Sequence, residues 1–271
     1  MKPKSKEKIS NFWLKQYLLI GYAAKGTVYL LIGLSAIQAA IFSEEEATGT
    51  YLSLALLADK PLGKLIVFLL AIALMGYVLR RFFQTIFVLG NTNSDSWKCT
   101  LKRIGYMISG LSYTGVAYTA VNLSFGLGEY DDTIEDLANE LFEQPLGEWL
   151  IFIGGIAIAT IGIFYVYGAY TGSYISEFDS SDIDYRLEKW TIRIGKVGVA
   201  ARGMAFILMG IFFVQAAMIG RSELAGGLQN VFRILATRPF GWLWLSLIGA
   251  GLISYGLYML VATRYRLYAI R

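Results

Sequence analysis

The chain has 271 residues, 56% of them hydrophobic, with 24 Lys and Arg against 20 Asp and Glu and a mean hydropathy of +0.52. So little polar surface excludes an ordinary soluble domain of this length, and the absence of histidine removes the commonest metal and haem ligand and the usual neutral-pH acid–base group. The single Cys99 rules out an intramolecular disulfide and reads as an incidental residue of a polar loop.

Six apolar runs follow in order, at about residues 17–42, 62–89, 104–127, 149–175, 197–219 and 240–263. Each suffices to cross a bilayer, which takes about 20 helical residues. Backbone groups in hydrocarbon must be satisfied within the segment, so the runs are expected to be transmembrane helices. The first follows the basic stretch MKPKSKEKISNFW with no small-residue cleavage site after it, and is expected to act as its own insertion signal. Between spans, seventeen Lys and Arg fall on one side and five on the other. That bias places both termini in the cytoplasm of a multi-pass bacterial inner-membrane protein. Charges at helix ends orient the chain, so the basic balance points to no nucleic-acid partner. The eight acids from Glu129 to Glu148, with no base among them, fit an outer loop.

One stretch occurs three times: GYAAKGTVYLLIGLSAIQAA from Gly21, GYMISGLSYTGVAYTAVNLS from Gly105 and GVAARGMAFILMGIFFVQAA from Gly198. Each copy reaches a Pro-x-Gly turn at Pro61, Pro145 or Pro239, which lie 40, 40 and 41 residues after its first glycine. Proline suits a helix start, where its missing N–H would be unpaired anyway. One unit is therefore a span, an outer connection, a turn and a second span. The expected layout is a basic cytoplasmic N-terminus at 1–16, repeats at 17–97, 98–185 and 186–271, the last including a cytoplasmic C-terminus, all in one membrane domain. The connections read as short amphipathic helices: Ile134, Leu137, Leu141 and Phe142 share one face of the second, and Leu224, Leu228, Val231, Phe232 and Leu235 one face of the third. The first, at 51–58, is apolar nearly all round. The fold class is all-α integral membrane, with six transmembrane helices as three tandem two-helix repeats and pseudo-threefold symmetry about the membrane normal.

The recurrent G-[YV]-x-x-x-G carries a basic residue before its second glycine in Ala24-Lys25-Gly26 and Ala201-Arg202-Gly203. With its spacing, it resembles the bacterial integral membrane proteins classed as domain-of-unknown-function family 1206, from about residue 19 to 268. The middle copy departs from the pattern with Ser109. The resemblance implies a membrane location and a two-span unit in three copies; it brings no activity and no catalytic residues.

Two sets of matched polar residues are candidate sites. Lys25, Ser109 and Arg202 share one position in the three copies. The apolar run after Lys25, from Gly26 to Phe42, is only seventeen uncharged residues, about 25 Å of helix. The favoured expectation is a cation that snorkels to lipid headgroups at the inner edge, with an interior role as the other reading. Gln38, Asn122 and Gln215 each stand seventeen residues after the first glycine of their copy. They would either line a polar path or bond to neighbouring backbone, and the structural reading is favoured. Gly21, Gly26, Gly105, Gly110, Gly198 and Gly203, with Gly33 and Gly210, place small residues where membrane helices approach closely.

No Asp or Glu lies within a span, and no nucleophile–base pair, carboxylate pair or metal-ligand spacing is present. No enzymatic activity, metal or cofactor is therefore expected. The expected function is a non-enzymatic scaffold or accessory subunit of the cytoplasmic membrane, in contact with lipid and with either a protein partner or a second copy. The alternative is a channel or carrier for a small solute through the helix bundle.

Overall fold

The computed structural model describes residues 4–42, 49–87, 97–127, 133–172 and 185–265, with the backbone alone given at 4–16, 18–19, 87, 97–102, 133–137, 185 and 264–265. Glu129, Asp131, Asp132, Arg266 and Arg271 thus lie outside the described residues, as do the side chains of Cys99, Ile134 and Leu137. Helix is the only regular structure among them: α1 (Lys4–Ile41), α2 (Thr50–Ala58), α3 (Gly63–Phe87), α4 (Trp97–Phe125), α5 (Thr133–Phe142), α6 (Gly147–Thr171), α7 (Tyr185–Ile219), α8 (Leu228–Ala236) and α9 (Gly241–Tyr265), with a 3₁₀ turn at Ser222–Leu224.

Five of these are long and apolar enough to cross a membrane, over Ile20–Ile41, Gly63–Ile86, Gly147–Thr171, Arg186–Ile219 and Gly241–Thr263. Their outer faces are as apolar as their buried ones: Ile66, Leu69 and Ile72 of α3 and Ile153, Ile156 and Ile163 of α6 are all exposed. Helices hydrophobic all round belong in hydrocarbon, so this is a helical membrane protein. α4, which covers the third apolar run, is diluted by hydroxyl side chains. Several bond back to their own helix, Ser112 to the Ile108 carbonyl at 2.9 Å and Thr114 to that of Gly110 at 2.9 Å.

Helix ends follow local chemistry. Gly126 and Gly220 take positive φ just after α4 and α7, and the next residues, Leu127 and Arg221, donate back to the carbonyls of Asn122 and Ala216, which closes those ends. The Pro-x-Gly motif works differently from the expected helix-start proline. Pro61 and Pro239 lie two residues before the first helical residue of α3 and α9, and the intervening Leu62 and Phe240 are left-handed at φ 62° and 60°. The glycine is the demanding position. A Cβ on Gly63 or Gly147 would collide with the carbonyl oxygen of Leu57 or Leu141, in the last turn of the preceding short helix.

The long helices pack in a cyclic order. The second long helix of each unit lies against the first of the next: α3 on α4, α6 on α7, and α9 back on α1. Two of these seams are built from reciprocal glycine pairs. Gly26 faces Gly256 and Gly33 faces Gly249 between α1 and α9; Gly155 faces Gly210 and Gly162 faces Gly203 between α6 and α7. In every pair an added Cβ would stand 2.5 to 2.9 Å from the partner's carbonyl oxygen. Such contact lets backbones touch, which replaces the missing hydrophobic drive between helices in lipid. At the third seam the matched positions are Ala71, Val78, Gly110 and Ala117, and Gly110 has only ordinary contacts, from 3.5 Å. Within units, α1 packs on α3 and α7 on α9, whereas α4 and α6 form no packed pair.

Candidate functional site

The three matched positions of the Lys25 set converge. Lys25 is 1% exposed and Arg202 5%, so neither reaches the bundle surface to snorkel. Aromatic rings from neighbouring helices cover them instead. Lys25 Nζ donates to the Tyr77 hydroxyl at 3.0 Å and lies 4.6 and 4.8 Å from the ring centres of Tyr77 and Tyr113. Arg81 Nε also donates to Tyr77, at 2.8 Å. With its oxygen accepting twice, Tyr77 has its own proton for Ser109 Oγ, 2.9 Å away. Arg202 Nη1 donates to the Tyr255 hydroxyl at 2.6 Å. Its guanidinium carbon lies 4.6 Å from the ring centre of Tyr165, 5.1 Å from Tyr255 and 5.2 Å from Tyr29. Cation–π contacts of this kind contribute about 0.5–2 kcal/mol each.

Tyrosines satisfy part of what a buried cation needs, and they bring no formal negative charge. Among the described residues no carboxylate bonds to Lys25 or Arg202, and Arg202 Nε is buried with no hydrogen-bond partner. Taking a guanidinium out of water costs several kcal/mol unless it is paired. Beside Arg202 lies a cavity of about 250 Å³. Its wall carries Ser109, Ser112 and Tyr113 from α4, Tyr29 from α1 and Tyr165 from α6, and it is apolar further along, at Val116, Ile32 and Met209. A basic donor at one end of an apolar pocket is equipped to orient an anion. Among the described residues no cluster of Cys, Asp or Glu is placed to hold a metal ion.

The amide set does not join this site. Gln38 and Gln215 are exposed and Asn122 is half-buried. Each stands on the same stripe as large exposed side chains: Leu34 and Ile41, Ile211 and Met218, Tyr118 and Phe125. Helical spacing of three and four residues puts these on one face, so the amides point away from the bundle centre.

Tyr77 and Tyr255 are absent from the sequence-level candidates. A signal for them exists: each lies sixteen residues after the proline of its unit, and the middle unit has Ile161 there. Matched substitutions therefore come together. Units one and three each pair a cation with a tyrosine, and the middle unit carries serine and isoleucine.

Comparison with known proteins agrees with this repeat structure. The chain is 28% identical over 258 residues to "Uncharacterized protein YxxB" of Bacillus subtilis (strain 168), covering 94% of this chain and 92% of that protein. No solved structure matches it. The family model Domain of Unknown Function (DUF1206) matches three times, at residues 20–88, 104–172 and 197–266, and the chain belongs to that family.

Proposed function

We propose that this chain is a non-enzymatic six-span protein of the cytoplasmic membrane, a scaffold whose bundle holds an anionic group at Arg202. Both termini then face the cytoplasm, as the distribution of Lys and Arg favours. α4 serves as the sixth span; its 29 residues measure about 43 Å at 1.5 Å each, and hydroxyls bonded within the helix are tolerated in hydrocarbon. The cyclic order of helix pairs supports a pseudo-threefold arrangement about the membrane normal.

The observation that carries the ligand reading is the buried Arg202, which lines the cavity with no carboxylate bonded to it among the described residues. An anion in the cavity supplies the missing negative charge, and charge-assisted bonds to a guanidinium are roughly twice as strong as neutral ones. The outward stripes of Gln38 and Gln215 favour this over an axial channel. The carrier reading keeps one support, the cavity itself, since a bound anion that is also released is a transported one.

Thermal unfolding of the purified protein in a neutral detergent, with and without inorganic phosphate, tests the ligand reading. At a hundred times its Kd the anion stabilises the wild type by about 2.7 kcal/mol and leaves Arg202→Gln unchanged. No shift in the wild type, or the same shift in both, contradicts it.

A further inference from the structure

The middle unit departs from the other two beside Arg202. In units one and three the first glycine seats its helix on the other long helix: a Cβ on Gly21 would collide with the backbone nitrogen of Tyr77, and one on Gly198 with that of Tyr255. The matched contact in the middle unit would set Gly105 on Ile161. Gly105 instead has nothing within 4 Å of its Cβ position, and α4 and α6 form no packed pair. Both Gly105 and Ile161 line the cavity. The cavity is therefore the helix–helix contact that the other two units make and the middle unit leaves open.

The cleft is open: Gly105, Ile108 and Ser112 line it and are exposed. Along α4 the lining runs from Gly105 to Val116, about 16 Å of helix. Its chemistry is graded: Arg202 and the hydroxyls of Ser109, Tyr113 and Tyr165 near one end, then Val116, Ile32 and Met209. A small hydrated anion would gain nothing from that apolar length.

We propose, building on the anion reading above, that the cleft between α4 and α6 takes an anionic amphiphile laterally from the bilayer, its acidic head on Arg202 and its acyl chain along α4. The head is a phosphate or carboxylate. The chain lies on Val116, Ile32 and Met209.

The test uses the full chain in neutral detergent, titrated separately with oleoyl lysophosphatidic acid, monoolein and inorganic phosphate, and binding read by native mass spectrometry. The variants are Arg202→Gln and Gly105→Leu, the second placing a side chain in the mouth of the cleft, where an added Cβ meets nothing within 4 Å. Lysophosphatidic acid should bind at least tenfold more tightly than either inorganic phosphate or monoolein. Arg202→Gln should remove that preference over monoolein. Gly105→Leu should weaken lysophosphatidic acid at least tenfold. Equal affinity for lysophosphatidic acid and inorganic phosphate, both dependent on Arg202 and neither on Gly105, overturns the amphiphile and leaves the anion reading standing. Binding of none of the three, or binding that ignores Arg202, overturns both.

Discussion

Alanine at Gly21, Gly105 and Gly198 is one change made at three matched positions with two kinds of neighbour. At Gly21 and Gly198 the new methyl group would fall on the backbone of Tyr77 and Tyr255, which no rotamer change relieves, so the helices must separate. Overpacking of this sort costs about 1–3 kcal/mol. Alanine recovers about 0.5–1 kcal/mol of helix propensity over glycine, so each variant should lose about 1–2 kcal/mol net. At Gly105 the methyl group meets nothing within 4 Å and only the propensity gain remains. Gly105→Ala should therefore match or exceed the wild type by up to about 1 kcal/mol, about 1–3 kcal/mol above the other two. Denaturant unfolding in mixed micelles, followed by far-ultraviolet circular dichroism, reads the differences. If Gly105→Ala is destabilised as much as Gly21→Ala and Gly198→Ala, the middle unit is closed like the others and the reasoning about the cleft fails.

Other outcomes follow from the same geometry. Tyr77→Phe strips the acceptor from buried Lys25 and half-buried Arg81 together; at about 1–3 kcal/mol for a buried donor left unmade, the loss at Lys25 alone should destabilise by about 1–3 kcal/mol in the same unfolding assay. Leu62→Gly and Phe240→Gly relieve left-handed backbone at side chains 76% and 69% exposed, and should raise stability by up to about 1 kcal/mol, while Leu146→Gly, at φ −118°, should not. Gln38→Leu combined with Gln215→Leu should leave both anion binding and any solute flux in liposomes at the wild-type level, since both residues lie on outward stripes; lost binding or flux would return them to the site.

Much of the architecture is legible in the residues, because repetition multiplies weak signals. The three copies, the Pro-x-Gly turns and the small-residue positions all emerge from spacing, and short helices do fill the connections. The site was harder to read. Lys25 lies few residues from the start of its apolar run, which suggests the membrane edge. Whether a side chain reaches lipid also depends on what stands beside the helix, and here that is Tyr77 and Tyr113, from helices 52 and 88 residues further along the chain. Matched register likewise put Gln38, Asn122 and Gln215 on one level and said nothing of direction, although flanking Leu34 and Ile41 mark the outward stripe of α1. The opened middle unit was least readable. Ser109 and Ile161 announce a departure, but Gly105 is retained, and only coordinates show it facing space instead of a backbone. Its glycine is identical in letter to Gly21 and opposite in use.

The central claim is that the middle unit is parted and that Arg202 holds an acidic head group in the gap. A density map of the full chain in nanodiscs supplied with oleoyl lysophosphatidic acid tests it most directly. α4 should stand apart from α6, with elongated density between them and its acidic end within hydrogen-bond distance of the Arg202 guanidinium. Gly105 seated on the backbone of Ile161, with Arg202 in contact with tyrosines alone, would contradict it.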